Sequence, residues 1–287
     1  MAQVTSVVAL PGGAVAQAWR VSYADGTTAV AKTLPDAPGD LFPIEAEGLR
    51  ALQATGHVRT PGVVAVTSGL LLLQALCPRP DDPCFWELLA RDLATLHRGT
   101  THDRFGWHHD GYLGRLPQGN RWTADGHAFF AEHRLLRYLD EPLTQQVLTA
   151  ADRRALERLC GRLPEIIPPM PPVLTHGDLW SQNVLAGPDG HPVVIDPAVS
   201  YTWAEVDLSM MWCARRPPEA DRFFRVYQDL APSPPGWAER MPVLHLRELL
   251  SCLAHDGGGA GGTADQVRGI LAPFRAHGSG RQSRQSR

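Results

Sequence analysis

The chain contains 287 residues, of which 44% are hydrophobic and 20% charged, and it carries a formal net charge of −3. This length is enough for about two domains, and the slightly acidic balance excludes the basic surface on which nucleic-acid binding depends. No run of about eighteen apolar residues occurs, so we expect no segment that spans a membrane. Five cysteines without a Cys-x-x-Cys spacing favour reduced thiols in the cytoplasm over a disulfide framework or a zinc site.

The first 76 residues contain short β-branched and aliphatic runs separated by turn residues, a pattern that predicts a β-rich unit. One helix is predicted among these runs, at Leu41–Thr55, where Ile44 and Leu49 belong to an apolar stripe. Asp25-Gly26 predicts a hairpin turn between two of the strands. The predicted strands are Val4–Leu10, Ala14–Tyr23, Thr27–Thr33, Gly62–Thr67 and Leu70–Leu76.

Helical periodicity dominates from Asp82 onward, beginning with apolar residues at helix spacing in Phe85–Arg98. Further amphipathic helices are predicted over residues 127–140, 144–163, 203–213, 219–230, 237–254 and 263–275. The tail over residues 278–287 is rich in Ser, Gln and Arg, a composition that predicts disorder. We therefore predict an α+β fold of two lobes, a small β-rich nucleotide-binding lobe over residues 1–76 and a larger, mainly helical catalytic and acceptor lobe over residues 77–277. This is the architecture of protein kinases, in which a nucleotide lies in the cleft between the lobes.

Three polar residues in the second lobe have the spacing of a phosphotransferase site. Asp178 precedes Asn183 by five residues, and Asp196 follows Asn183 by thirteen, with apolar runs between them. Protein kinases use such a set to hold a hydroxyl, Mg²⁺ and the triphosphate of ATP together. We interpret Asp178 as the catalytic base, and Asn183 as a catalytic residue that binds magnesium together with Asp196. Taken alone, Asp178 is equally compatible with a loop Asp that caps a turn.

A hairpin is predicted to bring the two metal ligands together. Asp189-Gly190 lies between the apolar runs Val184-Leu185 and Val193–Ile195, and Asp-Gly favours a two-residue hairpin turn. In that register Asn183 lies opposite Asp196, with Cβ atoms about 4.5–5.5 Å apart. An amide oxygen and a carboxylate at this separation supply the hard oxygen ligands that Mg²⁺ takes in proteins. The two neighbouring prolines leave the register open by one residue.

The small lobe supplies residues suited to phosphate binding. Lys32, the only lysine in the chain, ends a predicted strand, and Glu45 lies early in the following helix. An ion pair between them would position the ammonium group on the α- and β-phosphates of ATP. Glu47, two residues further along, is the alternative partner. Gly12-Gly13 lies between the first two predicted strands and would either cover the phosphates or form a tight turn.

Two groups of side chains are candidates for contact with the acceptor. Trp180, two residues after Asp178, would offer an aromatic wall to a sugar ring and an attached amine, or else support the loop from the core. Gln118 and Asn120 form a second candidate cluster on the acceptor side, together with Trp122.

Adjacent histidines occur at His108 and His109, followed by Asp110. Imidazole nitrogens bind a metal ion when a third ligand converges on them. The sequence shows no such third ligand, so we interpret these histidines as solvated loop residues.

The string HGDLWSQN over residues 176–183, followed by IDPA and EVDLSMM, resembles the fructosamine (ketosamine) kinase family. The resemblance extends over almost the whole chain and includes EAEGLRAL and FGWHHDGYLGRLPQGN. It implies ATP- and Mg²⁺-dependent phosphorylation of a sugar hydroxyl, typically the 3-hydroxyl, of small-molecule or protein-bound ketosamines, a reaction associated with protein deglycation. We expect a cytoplasmic protein that is a monomer or a weak dimer.

The resemblance also implies roles for individual residues. Asp178 resembles the catalytic base, Asn183 and Asp196 the magnesium ligands, and Lys32 with Glu45 the pair that fixes the phosphates. Asp207 resembles the buried Asp that braces the catalytic loop, and His176 of the same loop is assigned a structural role. Gln182 departs from the family, whose members usually have Gly before the Asn, so the substrate within this class stays open.

Two other functions stay open at this stage. An aminoglycoside- or choline-type small-molecule kinase would have the same fold, and an acidic acceptor surface would favour it. A nucleotide-binding pseudokinase is the less favoured alternative, because the residues expected to bind phosphate, proton and metal are all intact.

Overall fold

The computed structural model describes residues 3–11, 15–258 and 262–275. The strands of its N-terminal part are β1 Val4–Ala9, β2 Gln17–Tyr23, β3 Thr28–Thr33, β4 Val63–Val66 and β5 Leu70–Gln74. They form one antiparallel sheet in the order β1-β2-β3-β5-β4. The predicted strands are confirmed, with somewhat shorter ends. Gly12, Gly13 and the tail over residues 278–287 lie outside the described residues.

A single helix, α1 (Leu41–Ala54), connects β3 to β4 and packs on the sheet, as predicted. Its apolar face buries Phe42 and Leu49 against Leu71 of β5. Full burial of such a side chain contributes about 1.5–3 kcal/mol. This small core holds α1 in a fixed position relative to β3, the strand that carries Lys32.

The rest of the described chain is mainly helical. Its α-helices are α2 Pro83–Gly99, α3 Gly126–Phe130, α4 Pro142–Val147, α5 Ala150–Gly161, α6 Leu163–Ile166, α7 Glu205–Cys213, α8 Asp221–Leu230, α9 Trp237–Asp256 and α10 Thr263–Leu271. Helix α2 packs on α8, and α7 packs on α9. One apolar core, in which Trp86, Phe130 and Trp203 are buried, fills the space between them. None of the helices in the described ranges is long and apolar enough to cross a bilayer.

The helix predicted over residues 127–140 is not regular. After α3 the chain forms a π-helical turn, Ala131–Leu135, and then a 3₁₀ turn, Leu136–Asp140. Arg134 in the π-helical turn is buried, and its guanidinium donates a hydrogen bond to the side chain of Asn120. We attribute the widened turn to this long buried side chain, which the spacing of apolar residues does not reveal.

The helix predicted over residues 144–163 is divided. Helix α4 ends at Val147, and α5 begins after Thr149, whose hydroxyl accepts from the N–H of Asp152 while the Asp152 carboxylate accepts from the N–H of Thr149. This capping box satisfies N–H groups that a helix start leaves unpaired, so it favours a new helix at this point.

Short strands accompany the helices and position the central motif. They are β6 Gly111–Leu113, β7 Leu116–Gln118, β8 Val173–Thr175, β9 Val184–Ala186, β10 Pro192–Val194 and β11 Ser200–Thr202. Strand β6 pairs with β7, β8 with β11, and β9 with β10, all antiparallel. Of these pairs, only the β9–β10 hairpin is predicted from the sequence, where its Asp-Gly turn indicates it. The other strands have three residues each, too few to show a period-two pattern. Strand β8 leads into Asp178, β9 follows Asn183, and β10 ends shortly before Asp196.

Candidate active site

The register of the β9–β10 hairpin differs by one residue from the prediction. Val184 pairs with Val194, and Ile195 donates its N–H to the carbonyl of Asn183 at 3.0 Å. Asn183 therefore lies opposite Ile195, and the predicted pairing with Asp196 is wrong. The reason is the length of the loop, which has three residues, Pro188 to Gly190, instead of the two that were predicted. A 2.8 Å hydrogen bond from the Gly187 N–H to the His191 carbonyl closes this loop.

The carboxylate of Asp196 reaches the site by its backbone conformation instead of by strand pairing. Asp196 has a φ of 57° and is one of two non-glycine residues with positive φ in the described chain. This left-handed conformation costs a non-glycine residue about 1–3 kcal/mol, a strain that proteins tend to keep at functional sites. It takes the residue out of the ladder, and Asp196 Oδ1 lies 3.0 Å from Lys32 Nζ.

The predicted ion pair between Lys32 and Glu45 is present, with Nζ 2.6 Å from Oε1. The ammonium thus contacts two carboxylates, those of Glu45 and Asp196, and the lysine side chain is only 12% exposed. Although burial opposes the charge, the carboxylates of Asp196 and Glu45 raise the pKa of Lys32 above its ordinary value. Glu47, the alternative partner, instead lies next to His108 and His109, whose Nε2 atoms are 2.6 Å and 2.9 Å from its Oε1.

Asp178 and Asn183 are in direct contact. The side-chain amide of Asn183 donates to the main-chain carbonyl of Asp178 at 2.8 Å and to its Oδ2 at 3.1 Å. Because both contacts use the NH₂ group, the amide oxygen of Asn183 stays available as an acceptor. This oxygen and the partly exposed carboxylate of Asp196 form the kind of donor set that Mg²⁺ prefers, so the residues fit that ion.

A second carboxylate, Glu248 of α9, lies close to Asp178. Burial raises the pKa of Asp178 well above its ordinary value, the charge of Glu248 raises it further, and Arg247 opposes the shift. Glu248 Oε2 is buried and has no hydrogen-bond partner among the described residues. Glu248 is not among the residues predicted from the sequence. The sequence signal that could have indicated it is the charged pair Arg247-Glu248 between leucines that face the core. The helix that contains this pair is predicted only as an amphipathic helix.

Asp207 and His176 hold the loop that carries Asp178. Asp207 is fully buried and accepts hydrogen bonds from the backbone N–H groups of His176 and Gly177, both at 2.8 Å. His176 Nε2 donates to the carbonyl of Ile195 at 2.9 Å, and its Nδ1 accepts from the N–H of Asp178 at 3.2 Å. His176 therefore connects the loop of the proposed base to the strand end before Asp196. A structural role for both residues stays a prediction, and these contacts are the observations that support it.

Gly177 occupies a position that only glycine fits. Its φ is 80°, and a Cβ on this residue would overlap the carbonyl oxygen of Ala198. The guanidinium of Arg247, which is buried, donates to the carbonyl of Gly177. The loop before Asp178 is thus held on one side by Asp207 and on the other by Arg247.

The predicted acceptor residues differ in their placement. Trp180 is half-buried and Gln182 is exposed, so neither side chain is enclosed in the core. Gln118 and Asn120 are buried, at 2% and 1% exposure. The Gln118 amide lies 3.4 Å from the carbonyl of Ala198, and Asn120 accepts from Arg134 at 2.6 Å. This placement favours a supporting role for these two residues over the substrate contact predicted from the sequence.

Comparison with known proteins agrees with this geometry. Over residues 1–271 the chain matches the fructosamine kinase family. The chloroplastic protein-ribulosamine 3-kinase of Oryza sativa subsp. indica is 30% identical over 263 residues, which cover 87% of this chain and 73% of the rice protein. A crystal structure of a candidate fructosamine-3-kinase from Thermobifida fusca YX-ER1 is 33% identical, with a TM-score of 0.84, and covers 94% of this chain and 95% of that chain.

A more distant structure shows how general the fold is. Choline kinase LicA from Streptococcus pneumoniae is 16% identical, with a TM-score of 0.63 over 95% of this chain and 93% of that chain. These likenesses confirm the α+β, protein-kinase-like fold with its small β-rich lobe and larger helical lobe. Because the family match spans nearly the whole chain and a relative at 30% identity covers most of it, the chain belongs to the fructosamine kinase family.

Proposed function

We propose that this protein is an ATP-dependent kinase that phosphorylates a sugar hydroxyl of ketosamines, with the 3-hydroxyl as the position phosphorylated. One observation carries this proposal: Asn183, which contacts Asp178, comes directly before the β9–β10 hairpin, and Asp196, which contacts Lys32 of the Lys32–Glu45 pair, comes shortly after it. The names of the relatives, a ribulosamine 3-kinase and a candidate fructosamine-3-kinase, support the substrate class.

ATP would bind between a nucleotide-binding lobe over residues 1–76 and an acceptor lobe over residues 77–277. Lys32 carries a fixed positive charge, because Glu45 and Asp196 stabilise its ammonium form, and this charge suits the α- and β-phosphates. Gly12-Gly13, at the β1–β2 connection, would cover the phosphates. The amide oxygen of Asn183 and the carboxylate of Asp196 would hold Mg²⁺. When bound, this ion would neutralise charge that develops on the transferred phosphoryl group.

Asp178 would act as the general base. Its raised pKa makes it a better proton acceptor than an ordinary carboxylate, and the hydrogen bond from Asn183 to Oδ2 leaves Oδ1 free to face the acceptor. As the sugar oxygen bonds to the γ-phosphorus, its proton passes to Asp178 and the bond between that phosphorus and the ADP oxygen breaks. Asp207 and Arg247 keep the loop in position during this step.

Glu248 and Trp180 would bind the acceptor. A ketosamine carries a protonated amine beside its sugar, and the half-buried carboxylate of Glu248, close to Asp178, offers that cation a counter-charge. The half-buried ring of Trp180 offers a surface for the sugar and for a cation–π contact. Aminoglycosides and choline are cationic as well, so the charge alone admits these acceptors. Family membership is the observation that favours ketosamines.

The test is an ADP-release assay with ATP and Mg²⁺ over three acceptor classes. Fructosyl-lysine and ribulosyl-lysine represent ketosamines, kanamycin represents aminoglycosides, and choline represents amino alcohols. We expect turnover of at least one ketosamine and no comparable turnover of kanamycin or choline. Turnover of kanamycin or choline alone would overturn the ketosamine assignment, and absence of transfer to every acceptor would favour the pseudokinase.

Asp178→Asn provides the residue-level test, because it keeps the shape of the side chain and removes the base. We expect it to lower kcat by about 10²- to 10⁴-fold. Asp189→Asn is the matched control, because Asp189 lies in the turn of the nearby β9–β10 hairpin, is exposed, and contacts Arg59 and the backbone N–H of His191 at the surface. Full activity of Asp178→Asn would show that the base is assigned wrongly.

The protein is further proposed to act in the cytoplasm as a monomer or weak dimer, with deglycation of proteins or repair of related metabolites as its role. The five cysteines are all free thiols, which suits a reducing compartment. Fractionation of cells that express the tagged protein and sedimentation of the purified chain test the two statements.

A further inference from the structure

Three side chains converge where α1 faces the segment that precedes β6. His108 Nε2 lies 2.6 Å from Glu47 Oε1, and His109 Nε2 lies 2.9 Å and 3.0 Å from the two oxygens of the same carboxylate. The metal-binding atoms of all three residues lie within 4.8 Å of one another. The exposed fractions of the side chains are 42%, 56% and 33% for Glu47, His108 and His109, so ions in solution can reach them.

The contact of His109 Nδ1 determines whether the Nε2 atom of a neutral ring carries a hydrogen or a lone pair. His109 Nδ1 lies 2.8 Å from the carbonyl oxygen of Asp110, which only accepts hydrogen bonds, so Nδ1 carries a hydrogen. In a neutral imidazole the lone pair is then on Nε2, the atom that faces Glu47. A backbone carbonyl that holds the other N–H is the usual arrangement behind a histidine that binds a metal.

A lone pair that faces a carboxylate is repulsive unless a positive charge lies between them. Protons can supply this charge only if each imidazole carries one on Nε2, which makes His109 fully cationic. A single divalent cation between the three side chains satisfies both nitrogens and the carboxylate at once. The two imidazoles approach the same oxygen, Glu47 Oε1, so one ion can serve both.

We propose that Glu47, His108 and His109 form a binding site for a divalent transition-metal ion of the Zn²⁺ class, distinct from the magnesium ligands proposed above. Two imidazoles and one carboxylate suit Zn²⁺ and its neighbours, whereas Mg²⁺ prefers oxygen ligands. Zn–N bonds of about 2.0–2.1 Å place tetrahedral ligand atoms about 3.3 Å apart, slightly further than the present contacts. A small outward rotation of the rings admits the ion, and water completes its coordination.

This site connects two parts of the chain. Glu47 belongs to α1, and the histidines follow it by about sixty residues, in the segment between α2 and β6. Helix α1 also carries Glu45, the partner of Lys32. A bound ion would therefore hold α1 where the Lys32–Glu45 pair forms, and would stabilise the folded chain by mass action.

The experiment uses the full chain, stripped with EDTA and then kept in excess Mg²⁺ so that hard-ion sites are saturated. Zn²⁺ is titrated by calorimetry, and Co²⁺ is titrated by its visible absorption. We expect one Zn²⁺ per chain, a Co²⁺ spectrum typical of low coordination number, and a higher Tm with Zn²⁺. Glu47→Gln and His109→Ala should each weaken Zn²⁺ binding at least about tenfold. None of these readouts depends on kinase activity, so the result is independent of the proposed function.

His191→Ala is the matched control. His191 Nε2 lies 2.9 Å from Asp92 Oδ2, which makes a histidine–carboxylate pair without a third ligand in the described structure. We expect this variant to bind Zn²⁺ like the unmodified chain. Glu47→Gln preserves the shape of the side chain, and its circular dichroism establishes that it is folded. The proposal fails if the unmodified chain does not bind Zn²⁺, if Glu47→Gln binds it equally well, or if His109 only gains a proton without binding metal.

Discussion

Lys32 Nζ and Asp196 Oδ1 lie 3.0 Å apart, although 164 residues separate them in the chain. The same ammonium contacts Glu45 at 2.6 Å. Three elements meet at this point: strand β3, helix α1 and the chain that follows β10. A change in any of them alters the environment of the only lysine ammonium in the chain.

Replacing Lys32 tests that role directly. Lys32→Met should lower kcat/KM by about 10²- to 10³-fold, as expected for loss of a preorganised charge on the phosphates. Lys32→Arg should not restore activity, because a larger, planar guanidinium cannot reproduce the position of a compact ammonium that contacts Glu45 at 2.6 Å and Asp196 at 3.0 Å. The measurement is ADP release at varied ATP. Arg20→Met, at an exposed position of the neighbouring strand, is the control and should leave the rate unchanged. A rate for Lys32→Met within threefold of the control would contradict the assignment.

Asp207 is expected to support both stability and activity. Asp207→Asn replaces one of the two acceptor oxygens by an NH₂ donor, so that either the His176 or the Gly177 N–H group loses its acceptor. We expect the free energy of unfolding to fall by about 1–3 kcal/mol, with a lower kcat as the loop shifts. Urea denaturation and ADP release measure the two effects. Asp221→Asn, at an exposed ion pair with Arg216, is the control and should change neither quantity. A comparable loss of stability and kcat in this control would show that Asp207 has no specific role.

Glu248 is expected to determine affinity for the charged acceptor. Glu248→Gln should raise KM for a ketosamine about tenfold, the effect of about 1.4 kcal/mol of lost charge–charge contact, with little change in KM for ATP. Glu239→Gln is the control, because Glu239 lies on the same helix and is exposed. An unchanged acceptor KM, or an equal rise in KM for ATP, would show that Glu248 does not contact the amine.

His245 is expected to make the fold sensitive to acid. Burial lowers the pKa of His245 to about 4, and Arg247 adds to this shift, whereas an unfolded chain has an ordinary histidine pKa near 6.5. Below about pH 6.5 the unfolded chain binds a proton that the folded chain does not bind. Stability should therefore fall as the pH drops from about 6.5 to about 4, by roughly 3 kcal/mol in total, and this contribution should end below that range.

His245→Leu removes this group and should flatten the corresponding part of the profile. The measurement is the free energy of unfolding of the two chains in urea at pH 7, 6, 5 and 4.5. The difference between the two chains at each pH gives the contribution of His245, because the carboxylates contribute equally to both. Equal slopes for both chains between pH 6 and pH 4.5 would contradict the prediction.

Much of the fold follows from local patterns in the sequence. The strands of the N-terminal sheet and helices α1, α2, α7, α8, α9 and α10 coincide closely with the apolar periodicity. Where the prediction fails, a single side chain decides the outcome. Thr149 starts a new helix through its capping box, and the buried guanidinium of Arg134 accompanies a π-helical turn.

The site was predictable where its residues are close in the chain, as for Asp178 and Asn183. The register of the hairpin was not, because a two-residue and a three-residue loop are both compatible with Gly187–Gly190, and only tertiary structure selects one. Glu248, and the contact of Glu47 with His108 and His109, were not predicted for another reason. Each meets its partners across roughly sixty or seventy residues, and such convergence leaves no pattern in a single sequence.

The surroundings of Lys32 also affect how readily the protein's own lysine reacts with reducing sugars. Reducing sugars react with uncharged, accessible amines, and this chain has one lysine ε-amine among its 27 lysine and arginine residues. That amine is 12% exposed and is kept as an ammonium by two carboxylates. A protein that acts on sugar-modified amines thus offers sugars almost no lysine of its own, and long exposure to ribose should leave its lysine side chain unmodified.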